Sequence, residues 1–350
     1  MKMFWKELLI CAFMGLVLPG ALMEVSSSLL PQREAAQAAA ETAQETVAVF
    51  EEVPLSCGTK IPVLWPDGST RQVDLEEYLV GVVLAEMPAS FEIEALKAQS
   101  VAARTYAGKI HNAGEKHGNG SVCTDSRCCQ AYISPDDYLQ KGGSPQAVEK
   151  VRDAVLTTAG EVLTYEEELI EATYFSCSGG STEDAKAVWG ADFPYLRSVS
   201  SPGEEGAQYY RDTVNFSKEM LEMKLGVKLE TDPDTWLGPV TQTQGDGVRT
   251  IEIGGKVFQG TQLRQLLGLR STSFTATTGA HGLTIETKGY GHRVGMSQYG
   301  ADAMAVSGKT YREILSYYYQ GTELSQYIDT SVPEGAAEVT VPKLTEKDIA

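Results

Sequence analysis

The stretch DLEEYLVGVVLAEMPASFEIEALKAQSVAARTY, Asp74 to Tyr106, decides how this chain is read. Leu75, Tyr78, Leu79, Val82 and Val83 fall at i, i+3, i+4, i+7 and i+8, the stripe of a helix buried along one side. The next place on that stripe is Glu86, a carboxylate where the pattern asks for an apolar residue. Asp74 and Glu77 have capping-box spacing, which starts the helix. Pro88 disfavours helical geometry at Met87, so the helix ends just after Glu86. Ser90 is positioned to cap a second helix, Phe91 to about Ile110, with Glu92 and Glu94 in the turns where the helix dipole favours them. On that helix Lys97 and Arg104 share one face, with Ser100 and Val101 between them.

Glu86 has two readings from these residues alone. It is either a helix end fraying into water or a carboxylate at the rim of an apolar pocket. In the second case desolvation raises its pKa and keeps a protonated fraction near neutral pH. A general acid in glycosidic chemistry needs that property. Lys97 and Arg104 divide the same way, between a solvated basic face and an anion site. The small-residue run QSVAARTYAG suits close helix packing, and an Arg fixed in it can form a bidentate pair with a carboxylate.

Working outward, 350 residues with 42% hydrophobic composition describe a globular chain long enough for a substantial core. A formal net charge of −18 argues against nucleic acid or an anionic lipid surface as the main partner. Lys2 and Lys6 precede an uncharged run from Leu8 to Met23. The run is shorter than the ~20 residues that usually span a bilayer, and LPGALMEV is a poor cleavage site. Residues 1–25 are therefore expected to be a cytoplasmic end and uncleaved signal anchor, with the positive end inside. The remainder would be exported. Residues 26–53, rich in Ala, Gln, Glu and Ser, read as a flexible spacer. The folded domain is expected over 54–328, and 329–350 as a loose tail.

Downstream, EVLTYEEELIEATYFSCSGG reads as a hairpin with an acidic turn running into a glycine loop. GVRTIEIGGKVFQG is a second hairpin, turned by Gly254 and Gly255. Short helices are expected at SKEMLEMKL and TQLRQLLGL, then at Gln298 to Val306 and at Tyr311 to Tyr319. The class is α+β, a single mixed domain with a helical part and strand-rich segments. His292 sits in the glycine-rich loop GYGHRVGMSQYG, where it either holds a turn or meets a ligand that the glycines let approach.

HGNGSVCTDSRCCQAY gathers His117, Cys123, Asp125, Cys128 and Cys129. Exported proteins usually pair their cysteines. With Cys11 in the anchor set aside, however, Cys57, Cys123, Cys128, Cys129 and Cys177 form an odd number. Thiolate with imidazole is a zinc donor set, so zinc and a disulfide both stand at this point.

Four runs taken together resemble the stage II sporulation protein D family, which includes amidase-enhancer proteins. They are LVGVVLAEMPASFEIEALKAQSVAARTYA, SCSGGSTEDAKAVWGADFPYLRSV, GTQLRQLLGLRSTSF and GYGHRVGMSQYGADAMA. The resemblance covers about Pro54 to Leu324, in order. It implies a lytic transglycosylase of peptidoglycan that acts on peptide-stripped glycan strands from the engulfing mother-cell membrane. A sporulation amidase and a polytopic membrane protein would be its partners. It implies that Glu86 is the catalytic acid, with Lys97 and Arg104 holding the lactyl carboxylate of the strand. Thr105, Tyr106, Ser178, His292 and Gln298 are carried with them as candidate glycan-binding residues. It also implies zinc on His117, Cys123 and Cys129. Cys128, where relatives carry histidine, Asp125 or a water would fill the fourth place. Two rival functions remain: a non-catalytic wall-binding enhancer of an amidase, and a muramidase using a second acid such as Glu94 or Asp184.

Overall fold

The computed structural model describes residues 58–331, apart from position 281. The expected anchor and spacer, Cys57 and most of the tail lie outside the described residues. Among the described residues no helix is long and apolar enough to cross a membrane.

The first helix, α1 (Leu75–Glu86), begins where expected: the Asp74 carboxylate accepts from the backbone N–H of Glu76 and Glu77. It is more deeply set than a one-sided stripe implies. Glu76, Val80, Gly81 and Leu84 are buried along with the stripe, so the helix is enclosed on nearly all sides. The second helix, α2, spans Ile93–Ala113 rather than starting at Phe91. Ser90 does not cap it; the preceding N–H of Glu92 donates instead to Asp302, 210 residues away in sequence. At its far end Gly114 adopts the left-handed conformation that closes many helices.

The remaining helices are α3 (Pro135–Gln140), α4 (Pro145–Thr157), α5 (Ala185–Trp189), α6 (Lys218–Leu225), α7 (Gly260–Leu267), α8 (Gln298–Val306) and α9 (Tyr311–Tyr318). The strands form small sheets. β1 (Lys60–Leu64) pairs antiparallel with β2 (Thr70–Asp74) and parallel with β3 (Val122–Cys123). β4 (Glu161–Tyr165) turns back onto β5 (Glu168–Leu169) through Glu166 and Glu167, both at positive φ, as expected of the acidic turn. β6 (Tyr174–Phe175) lies beyond them in the chain. β7 (Arg211–Phe216), β8 (Leu237–Gln242), β9 (Val248–Ile253), β10 (Lys256–Gln259), β11 (Phe274–Gly279) and β12 (Gly282–Lys288) make two three-stranded antiparallel sheets, ordered β10-β9-β8 and β11-β12-β7. β13 (Met296–Ser297) runs parallel to β6, and β14 (Glu323–Gln326) pairs with β4. The fold is thus a mixture of helix and strand.

Apolar side chains gather into two clusters. The larger is built on α1, α2, α4, α8 and α9, with Tyr78, Leu79, Leu96, Val151, Ala301 and Leu315 at its centre. The smaller fills the space between the two antiparallel sheets and α6 and α7, around Leu221, Ile253, Leu263 and Ile285. The glycine-rich loop 289–295 leads from β12 of the smaller cluster to β13 and α8 of the larger.

Candidate active site

Glu86 is the last residue of α1 and is half-buried; Met87 after it is extended, with φ −129° and ψ 137°. The helix therefore delivers the carboxyl group to the edge of the core and goes no further. Its Oε1 accepts a 2.6 Å hydrogen bond from the backbone N–H of Ala131. Burial pushes the carboxyl pKa above its ordinary value, and the Ala131 N–H and Gln298 side chain pull it back only in part. Two tyrosines face the same region. The phenols of Tyr78 and Tyr174 are raised well above the usual range, chiefly by burial and partly by the Glu86 charge. Neither hydroxyl has a hydrogen-bond partner among the described residues.

Ala131 belongs to a loop docked tightly on α1. Ile133 N–H donates to the Gly81 carbonyl at 3.1 Å, and the Tyr132 ring stacks on Tyr78 at 5.8 Å and meets Trp65 edge-on at 5.2 Å. Gly81 is needed here, because a Cβ at that position would collide with the Tyr132 ring and the Ile133 carbonyl. Immediately before this loop lie the cysteines. The ligand atoms of His117, Cys123, Cys128 and Cys129 all fall within 4.8 Å of one another. His117 Nε2 is 3.6 Å from both Cys128 Sγ and Cys129 Sγ. Adjacent cysteines reach one point because a tight turn is present: the N–H groups of Cys128 and Cys129 both donate to the Asp125 carbonyl. The Asp125 carboxylate is taken up by Arg127, which removes it from the donor set. Three thiols and one imidazole at this spacing fit a tetrahedral soft-donor metal. All three cysteines are free. Burial holds the Cys129 thiol up at about 11, an environment that a bound cation would reverse.

Several residues expected in the groove are placed elsewhere. Arg104 is fully buried. Its guanidinium donates to both Glu76 oxygens, at 2.9 and 2.5 Å, and to the carbonyls of Val155 and Glu161. The bidentate pair with a carboxylate is present, but its partner is internal, so Arg104 is not an exposed anion site. It ties α1, α2, α4 and the start of β4 together. Lys97 pairs with Glu94 at 2.8 Å and lies over the Tyr311 ring. Thr105 accepts from the Leu163 N–H and donates to the Val101 carbonyl. Ser178 is buried against Glu204, which also accepts from its backbone N–H. His292 accepts from Val294 N–H on Nδ1, and burial lowers its pKa to about 4, so the ring is neutral at ordinary pH. Tyr106, by contrast, stands between the cysteine loop and the Glu86 region: it receives Lys116 Nζ at 3.2 Å, burial raises its phenol to about 12, and its charge acts on Tyr78 and Tyr174. Of the expected set, Gln298 is the residue whose side chain meets Glu86. The Ala131 N–H and the Tyr174 hydroxyl were not foreseen: a backbone donor has no sequence signature, and Tyr174 sat unremarked within an expected hairpin.

Glu94 and Asp184 do not serve as a second acid beside Glu86. Glu94 is occupied by Lys97 and the Tyr311 N–H, while Asp184 caps α5 and pairs with Arg197. Glu86 is thus a helix-terminal carboxyl group raised by burial and held by the Ala131 N–H. Comparison with known proteins gives the chain a family. The family model described as stage II sporulation protein matches residues 68–165, which include Glu86 and the cysteine cluster. The chain is 38% identical over 340 residues to stage II sporulation protein D of Bacillus subtilis (strain 168), covering 93% of this chain and 96% of that relative. It is 40% identical over 320 residues to stage II sporulation protein D of Bacillus amyloliquefaciens, covering 89% and 90%. The amidase enhancer of Bacillus subtilis is 32% identical, over 71% of this chain and 40% of the enhancer. The chain belongs to the stage II sporulation protein D family, a family of bacterial sporulation.

Proposed function

We propose that the protein is a peptidoglycan lytic transglycosylase that cleaves peptide-stripped glycan strands during endospore formation. The observation that carries this reading is Glu86: a carboxyl group at the end of a buried helix, raised by burial and steadied by one backbone N–H. Hydrolysis by two carboxylates needs a partner for the water or the sugar. One carboxyl group suffices when the nucleophile is the substrate's own hydroxyl. Protonated Glu86 donates to the glycosidic oxygen as the bond from the muramic acid C1 breaks. The resulting carboxylate takes the proton from the muramic acid C6 hydroxyl as its oxygen bonds to C1. A 1,6-anhydro ring and a free 4-hydroxyl result, Glu86 is again protonated, and no water is consumed. Both proton transfers call for a pKa above the ordinary carboxylate range and a site shielded from solvent, and burial of Glu86 acts in that direction.

The donor set of His117, Cys123, Cys128 and Cys129 fits zinc. Bound there, the ion would supply a rigid crosslink. Ala131, which grips Glu86, lies just beyond Cys129, so fixing that loop fixes the catalytic carboxyl group. Anchoring to the mother-cell membrane through residues 1–25, with an amidase and a polytopic membrane protein as partners, completes the proposal. Similarity to an amidase enhancer supports one alternative, wall binding that stimulates an amidase, with Glu86 only contacting sugar. Mass spectrometry of digested glycan decides: anhydro-muramic ends mark the transglycosylase, and an unchanged strand marks the binder.

A further inference from the structure

A cavity of about 510 Å³ opens between α5 and the β9–α7 region, where elements of the two apolar clusters meet. Its volume lies in the range of small-molecule sites, which favour such junctions. Trp189 lines one wall and is 44% exposed, the most exposed of the tryptophans described. Its ring is held against the His292 ring at 5.2 Å, which leaves part of a rigid aromatic surface open. Thr250, Gln259 and Thr261 supply hydroxyl and amide groups on the facing wall. Arg249 completes that wall as an exposed guanidinium with no ion pair among the described residues, whereas Lys186 nearby is paired with Asp192 at 3.1 Å. At the base Glu183 is 1% exposed, with its Oε1 engaged by Thr243 and Arg293.

An open aromatic surface ringed by hydroxyl, amide and carboxylate groups suits a pyranose, which has apolar ring faces and a polar edge. A free guanidinium in a chain of net charge −18 adds selectivity for an anionic substituent. The glycine-rich loop connects this cavity to the candidate active site. His292 buttresses Trp189, Arg293 holds Glu183 at 3.2 Å, and the same segment continues to Gln298 beside Glu86.

We infer that this cavity is a second saccharide subsite, taking a carboxylate-bearing amino sugar of the glycan strand. Trp189 packs on the sugar ring and Arg249 pairs with the carboxylate. The inference rests on the glycan-cleaving reading and extends it: the protein engages a strand at two places, so longer chains bind more tightly than short ones.

The test is a titration of the full chain carrying Glu86→Gln, which binds without cutting. The probes are peptide-free glycan oligosaccharides of disaccharide and octasaccharide length, and chitooligosaccharides of the same lengths, which lack the lactyl carboxylate. Trp189→Ala is expected to weaken octasaccharide binding about tenfold while leaving the disaccharide unchanged, and Trp189→Phe to restore most of the loss. Arg249→Ala, a change at an exposed side chain, is expected to weaken the muramyl octasaccharide about tenfold but not the chitooligosaccharide. If both variants bind every probe as tightly as their parent, or lose affinity equally at both lengths, the subsite is refuted while the active-site reading stands. A parent protein that binds none of the probes overturns both.

Discussion

Arg104→Ala is expected to destabilise the helical cluster rather than to weaken a glycan contact. Arg104 and Glu76 are both fully buried, and their paired hydrogen bonds link residues 28 apart in the chain. Truncating the arginine takes both paired hydrogen bonds from the buried Glu76 carboxylate, which the Gly160 N–H also contacts, and strips a donor from the Val155 and Glu161 carbonyls. Removing one partner of a buried ion pair costs about 3–5 kcal/mol. At roughly 2–4 °C per kcal/mol for a domain of this size, Tm should fall by about 6–20 °C. Thermal and urea unfolding read this directly. Replacing both members, as in Glu76→Leu with Arg104→Met, should recover much of the loss, because an apolar pair of similar volume does not strand a charge. An Arg104→Ala protein with parental Tm and specifically impaired binding of carboxylate-bearing glycan would refute the structural assignment and restore the anion-site expectation.

Three further outcomes follow from the geometry. The pKa of Glu86 is raised in the folded state, so its contribution to stability is complete below the ordinary carboxylate range and lost as pH rises through the folded pKa. Glu86→Gln should accordingly stabilise the protein more at pH 7 than at pH 4 relative to the parent, and equal effects at both would contradict the desolvated site. Gly81→Ala should displace Tyr132 and the Ala131 loop at a cost of about 1–3 kcal/mol, with loss of cleavage at temperatures where circular dichroism still reports a folded chain. Metal analysis of protein purified without reductant should find one zinc per chain, lost in His117→Ala; metal-free, fully active protein with Cys123 and Cys129 oxidised would overturn the zinc proposal.

Local features were legible in the sequence, and long-range partners were not. Asp74, the Glu86 terminus, the Gly254–Gly255 turn and the Gln298–Val306 helix follow from spacing and turn chemistry, and all are present. Ser90 misled because the Glu92 N–H at the start of α2 is met by Asp302, which no local pattern announces. Arg104 misled for a related reason. A small-residue run correctly signalled close packing, but nothing in the local sequence singles out Glu76, in the first turn of α1, as the carboxylate that Arg104 meets. Periodicity picked out one side of α1, whereas Val80, Gly81 and Leu84 off that stripe are buried too, which depends on tertiary packing. The site itself was half visible. Glu86 and the cysteine cluster are unusual residues at telling positions, whereas the Ala131 N–H joining them belongs to no side chain.

The account stands or falls on the ends that the protein leaves on a glycan strand. Peptide-free strands incubated with the parent chain and with Glu86→Gln, then resolved by mass spectrometry, give the answer. Parent protein should yield fragments ending in 1,6-anhydromuramic acid, and the variant should release them about 10²–10⁴-fold more slowly while still binding the strand. Reducing ends from the parent, or anhydro ends formed at comparable rates by both proteins, would contradict a single-carboxyl mechanism at Glu86.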